Sequence, residues 1–364
     1  TEPDDPSSAS PLYVDPEFVE LQSSYANNAV KSVDPLFSCT ETRNYCFFLP
    51  QKKCMNKQNG SMFSFNHLPD GGIGEIDKVN YSPDTIVLRS YNGNQQLYYV
   101  GLFNLAEDCY TEIDHSTNNL RLLCSQGHYI VYGNQEISEI FVYDASIKKL
   151  FTIPRPLHVV SDDGYDMIAG ISGNYLFLSA RIDERKSNLY RVDLTSSDLS
   201  AQLIQDFTIP RVSPGILKVS GEWVYIIDYG EGGVGNGKEH LKIFKGNLKN
   251  KTIETLVCII DDPVTKKYVY PSINNISDQY ITYRIENGKI CLLELETGKI
   301  RELVPCSQTR SRQHFLIGLP CADWTAHLNR FPILGKWMYF KKEKDDHIYK
   351  INIDYPGQIK ILNK

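Results

Sequence analysis

The chain has only 4 methionines against 23 tyrosines in 364 residues, and no run in it approaches the roughly 18 apolar residues that cross a bilayer. It also lacks the charged region, apolar region and cleavage site of a signal peptide. None of its nine cysteines forms a CxxC pair, so a zinc knuckle or thioredoxin-like site has no support. None of its eight histidines sits in HExxH. The nucleophile elbow GxSxG is missing too, because Gly170-Ile-Ser-Gly-Asn174 departs at the final position. Basic residues number 38 and acidic residues 44, a net charge of −6. That balance argues against nucleic acid or an anionic membrane surface as a partner, and the lack of a long apolar run argues against membrane insertion. Helical periodicity is not sustained anywhere.

What is present is texture. Apolar residues make up 41% and aromatic residues 11%, a mixture that suits half-buried pleated surfaces. Residues 1–34 form an acidic, Pro- and Ser-rich stretch without periodicity, which reads as an extended arm. From residue 35 to 364 short apolar runs alternate with turn residues, and the runs repeat. GHYIVYG, EIFVYDA and KLFTIP are followed by GNYLFLSA, NLYRVDL and AQLIQDF, then by GEWVYIID, LKIFKGNL and IETLV. Two further sets end at the C-terminus.

The early aromatics of these units are Tyr129, Tyr175, Trp223, Tyr280 and Trp337, at steps of 46, 48, 57 and 57 residues. Tyr45 and Ile86 extend the series upstream at steps of 41 and 43. Seven units of four strands each predict an all-β fold, a single β-propeller of seven blades of four antiparallel strands, with six blades as the alternative. Residues 119–362 resemble the β-propeller superfamily in general, above all irregular TolB-like and low-density-lipoprotein-receptor-like propellers with LYRVDL-type third strands. The motifs YWTD, GH…WD, the kelch double glycine and the Asp-box are all missing. The resemblance therefore implies an architecture and transfers no functional residue.

The cysteines avoid the stretch between Cys124 and Cys258. Disulfides in an oxidising compartment or buried thiols in a cytosolic protein both account for that. The first is favoured here, with Cys109–Cys124 and Cys306–Cys321 as candidate pairs and a secreted or extracytoplasmic location. Asn59, Asn80, Asn250 and Asn275 stand in glycosylation sequons, a number that chance supplies in so Asn-rich a chain.

Gly230, Gly232 and Gly235 spell GxGxxG, and Gly232 to Lys238 spell GxxxxGK. Phosphate cradling needs a helix after the glycines. Strands flank this segment and Glu239 stands where a Mg²⁺-binding hydroxyl belongs, so it reads as a hairpin loop without a nucleotide cofactor. Asp162, Asp163 and Asp166 lie close together, but the spacing is not that of a calcium loop. No metal, cofactor or catalytic residue is expected. Three long segments, 154–166, 229–240 and 307–331, fall on one face of such a ring, and long loops in compact domains tend to carry function. The last brings Trp324 together with Arg310, Arg312, His327 and Arg330, the composition of an interface anchor. Tyr165, Tyr229 and His240 come from the other two. The expectation is a non-catalytic scaffold that binds a protein or glycan partner through this face. A propeller hydrolase or lyase with carboxylates at the mouth of the axial channel is the alternative.

Overall fold

The computed structural model describes residues 38–49, 51–134, 139–154, 168–182, 186–210, 217–228, 239–260, 272–276, 279–285, 289–304, 333–341, 347–354 and 359–362. Every regular element among them is a strand. The first blade holds β1 (Ser38–Glu41), β2 (Tyr45–Leu49), β3 (Lys53–Asn56) and β4 (Met62–Ser64), and the second β5 (Gly72–Lys78), β6 (Thr85–Asn92), β7 (Leu97–Asn104) and β8 (Cys109–Ser116). In the third are β9 (Leu120–Gln126), β10 (Tyr129–Asn134), β11 (Ile140–Asp144) and β12 (Lys149–Ile153). The fourth has β13 (Ile168–Ser172), β14 (Tyr175–Arg181), β15 (Lys186–Asp193) and β16 (Gln202–Pro210). The fifth has β17 (Leu217–Ser220), β18 (Trp223–Asp228), β19 (Glu239–Asn247) and β20 (Thr252–Ile260). β21 (Ser272–Ile276), β22 (Tyr280–Ile285), β23 (Lys289–Glu294) and β24 (Ile300–Val304) make the sixth. β25 (Ile333–Leu334), β26 (Trp337–Lys341), β27 (Ile348–Asn352) and β28 (Ile359–Ile361) make the seventh.

Each blade is one antiparallel sheet of four consecutive strands in chain order. The chain is a seven-bladed β-propeller, and the six-blade alternative falls away. First strands of neighbouring blades pack on each other, β1 on β5, β5 on β9, β9 on β13 and β13 on β17. They therefore line the axis, and the fourth strands form the rim.

Side-chain alternation explains why the second strands read as unbroken apolar runs. In β10, Tyr129 and Val131 enter the seam with the fourth blade, while Ile130 and Tyr132 enter the seam with the second. In β18, Val224 and Ile226 face the fourth blade and Tyr225 and Ile227 the sixth. With a period of two, a strand covered on both faces must be apolar at every position.

Two turn devices repeat. Gly127, Gly173, Gly221 and Gly335 have φ of 58 to 60° at the first position of the two-residue turn before the second strand. That is the backbone a type II′ hairpin requires, and glycine adopts it without steric penalty. At the end of the third strand an Asn or Asp side chain accepts from the amide two residues on: Asn104 from Ala106 at 3.0 Å, Asp144 from Ser146, Asn247 from Lys249 and Asn352 from Asp354, each at 2.9 Å. These are Asx turns. The amide after the Asx residue donates to a carbonyl in the neighbouring turn, as Leu105 does to Asp84 at 2.7 Å and Leu248 to Glu222 at 2.8 Å. The VDL of LYRVDL is one copy of this lock.

The Cys109–Cys124 disulfide is not formed: both thiols are free. Cys109 opens β8 on the rim, whereas Cys124 lies in β9 beside the axis of the next blade. Three strand spacings, roughly 14 Å, separate rim from axis, and a disulfide needs Cα atoms within about 7 Å. Cys306 and Cys321 lie outside the described residues.

Cys39, Cys46 and Cys54 are buried. Burial pushes the Cys46 thiol up from 9.0 to about 11 and the Cys54 thiol up from 9.0 to about 12. Below pH 9 both thiols keep their protons whether the chain is folded or unfolded, and no stability is lost. Above it the unfolded chain ionises first, so unfolding stability is expected to fall with rising pH until the folded thiols titrate. The slope is at most about 1.4 kcal/mol per pH unit per thiol. Denaturant titrations between pH 8 and 11 check this, and the Cys46→Ala/Cys54→Ala double variant is expected to flatten the fall.

Candidate functional site

The second strand of a blade and the fourth end on the same side of the ring. β12, β18 and β24 therefore run out on one end, and the segments 154–166, 229–240 and 307–331 are tethered there. Tyr165, Tyr229, Arg310, Arg312, Trp324, His327 and Arg330 lie outside the described residues. His240 is the second residue of β19, and its side chain falls outside them as well. The glycine-rich segment before it joins β18 to β19, which are antiparallel neighbours from Asp228↔Lys242 onward, and a strand rather than a helix follows it.

The axial strands can be read directly. Among their described residues the carboxylates are Glu41, Glu75 and Asp77, and each is engaged. Glu41 pairs with Lys57 at 2.8 Å. Glu75 holds Arg89 at 3.3 Å and accepts from the Leu122 amide at 2.6 Å. Asp77 accepts from the Ser125 hydroxyl at 2.8 Å. Among the described residues no group of three or more His, Cys, Asp or Glu could hold a metal ion. No helix among them is long and apolar enough to cross a membrane.

A built concavity lies at the opposite end of the ring, between the fourth and fifth blades. It encloses about 540 Å³ and is lined from the fourth blade by Tyr175, Phe177, Arg191 and Gln202 to Gln205. From the fifth blade come the turn residues Gly221, Glu222, Leu248, Lys249 and Lys251. Phe177, Arg191 and Gln202 stand in one row across β14, β15 and β16. Phe177 is buried in the seam, and the row grows more polar toward the rim. The Arg191 guanidinium stacks on the Tyr175 ring at 4.8 Å.

The cleft exists because β16 is irregular. Its pairing with β15 passes from Asn188↔Thr208 to Tyr190↔Leu203. Leu189 on β15 thus opposes four residues on β16, Ile204 to Phe207, three more than a regular ladder allows. Asp206 takes a left-handed backbone, φ 57°, and Phe207 turns into the seam, 2% exposed. Its room comes from Gly246: a Cβ there would meet the Phe207 ring at 2.8 Å and Val224 at 2.9 Å. Bulges of this kind re-aim side chains at the edges of sheets. No motif in the sequence marked this site, and the break of Gln205-Asp206 between Ile204 and Phe207 was its only trace.

No family model and no curated protein matches the chain. Solved structures do. PorZ, a surface component of the type-IX secretion system of Porphyromonas gingivalis, is similar at a TM-score of 0.53 and 11% identity, over 91% of this chain and 38% of that one. The β-propeller domain of the Trilobed protease from Pyrococcus furiosus, noted for an open velcro topology, gives 0.52 and 10%, over 92% and 99%. The acylaminoacyl peptidase of Pyrococcus horikoshii gives 0.52 and 11%, over 94% of this chain and 53% of that one. This chain thus spans well under half of PorZ and about half of the peptidase. At such identities the likeness shows the fold alone.

Proposed function

We propose that this propeller is a non-catalytic binding scaffold whose partner, a protein, docks on the end where the three long connections leave the ring. The supporting observation is topological. β12, β18 and β24 end on the same side, so the segments carrying Tyr165, Tyr229, His240 and the Trp324–arginine group start from one surface. Aromatic side chains flanked by arginine supply large contact area together with directed donors. The engagement of Glu41, Glu75 and Asp77 supports binding over hydrolysis, since a glycosidase-like pair needs two carboxylates open to the substrate.

We further propose an extracytoplasmic location, which the surface position of the similar PorZ supports and with which the exposed sequon residues Asn59, Asn80 and Asn250 are compatible. The test of the scaffold reading is affinity capture with the intact protein and with a variant in which 307–331 is replaced by a short Gly-Ser linker. A specific partner is expected to be lost in the variant while its melting temperature holds. Retention of the same partner by the variant contradicts the reading.

A further inference from the structure

The cleft between the fourth and fifth blades lies at the other end of the ring from the proposed partner site, and its composition is not that of an ordinary seam. We infer that it is a second binding site, for an acidic peptide segment laid in extended form along β16.

Charge is the first argument. Arg191, Lys249 and Lys251 line the cleft against the single carboxylate of Glu222. Glu222 is already partly satisfied, since the Asn247 side-chain amide donates to it at 3.4 Å. The whole chain has a net charge of −6, so a cleft with two surplus cations stands against the protein's own field. Among the described residues neither Lys249 nor Lys251 is in an ion pair. A ligand bearing carboxylates meets both of them and the outer edge of the Arg191 guanidinium, whose face is held by Tyr175.

The apolar surface is the second argument. Large apolar side chains seldom stand open in the described surface, yet Tyr175 is 38% exposed and Leu203 is 39% exposed, and both line this cleft. Leu248 and Phe177 form its floor. A small anion would use the cations and leave these pads wet, whereas a peptide that alternates acidic and apolar residues uses both.

Backbone is the third argument. β16 is the last strand of its sheet, and among the described strands none pairs with its outer edge. Ile204 to Phe207 have also left the ladder with β15. Unpaired amides and carbonyls on a rim strand are a template for strand addition. In such addition the main chain supplies affinity and alternate side chains supply specificity. The period of two then places one set of peptide side chains toward Arg191, Tyr175 and the lysines, on the face that Phe177 and Gln202 share, and the other toward Leu203, on the face of Tyr190.

The test uses the full chain produced without glycans, because Asn250 stands between the two lysines. The probe is a fluorescein-labelled ten-residue peptide alternating Glu and Val, read by anisotropy at low and at physiological salt. Saturable binding is expected, at least tenfold weaker for Lys249→Glu/Lys251→Glu, and severalfold weaker for Leu203→Ser. All substituted positions are exposed, so melting temperatures should stay unchanged and the loss belongs to the site. The same peptide N-methylated at alternate residues is expected to bind at least tenfold more weakly. Equal binding by the wild type and the lysine variant overturns the proposal. So does undiminished binding of the methylated peptide, or displacement by dextran sulfate of a probe indifferent to Leu203→Ser. Those two outcomes assign the cleft to polyanions instead. Replacing 307–331 leaves this binding intact if the two sites are separate, so failure here and failure of the scaffold reading can be told apart.

Discussion

Phe48→Ala is expected to lower unfolding stability by about 3–5 kcal/mol, and to do so by loosening the closure of the ring. The first and last blades are each complete sheets of consecutive strands, and among the described residues no ladder of hydrogen bonds joins the first blade to the last. Their junction is side-chain packing: Cys39, Cys46, Phe48 and Met55 from the first blade meet Tyr339 and Ile348 from the last. Phe48 is fully buried, and its ring centroid lies 5.7 Å from that of Tyr339. Truncation leaves a cavity at a seam that no strand pairing ties among the described residues.

Phe47 is the control that nature places next door. It is equally buried but faces the second blade, among Ile86, Leu88 and Phe103. Phe47→Ala should cost a similar amount in a urea titration, yet leave the closing seam intact. Hydrogen exchange separates them: β1 and β27 should lose protection in Phe48→Ala at denaturant concentrations where Phe47→Ala retains it. A change in midpoint worth less than about 0.5 kcal/mol for Phe48→Ala, the size of an ordinary surface substitution, would mean the seam contributes little to closure.

Much of this architecture was legible beforehand because the second strands are buried on both faces. That forces runs such as YIVY and WVYII, and it spaces them by one blade. Tyr45, Tyr129, Tyr175, Trp223, Tyr280 and Trp337 each open the second strand of a blade, and Ile86 is the second residue of β6. The cleft was illegible for the opposite reason. It joins residues 175 to 251 across two blades, through turns whose cations look like any solvated hairpin. Its cause is a count of three extra residues in one rim strand, which AQLIQDF does not announce. Cys109 and Cys124 do not pair, because nearness in sequence is not nearness in space here. In a propeller the step from the fourth strand of one blade to the first of the next is the longest radial jump the chain makes.

Trp324→Ala is the other substitution with a large expected effect, and its two possible outcomes differ in kind. If Trp324 anchors a partner, its removal should weaken binding by about 2 kcal/mol or more, close to thirtyfold, with the melting temperature unchanged. A Trp that instead packs beneath its own segment should take about 3–5 kcal/mol of stability with it. The anchor outcome is the one expected. Trp324 stands between Arg310 and Arg312 on one side and His327 and Arg330 on the other, and a core position is seldom surrounded by so many long polar side chains. Aromatic contact area also comes at low entropic cost, with two rotatable bonds to fix. Both readouts should be taken on the same variant, with Arg312→Ala beside it. A rim arginine is expected to change the association rate and its salt dependence more than the dissociation rate. Unchanged affinity together with unchanged stability in Trp324→Ala would remove this end of the ring as the partner surface. The axial channel, with Glu41, Glu75 and Asp77, would then be the next place to substitute.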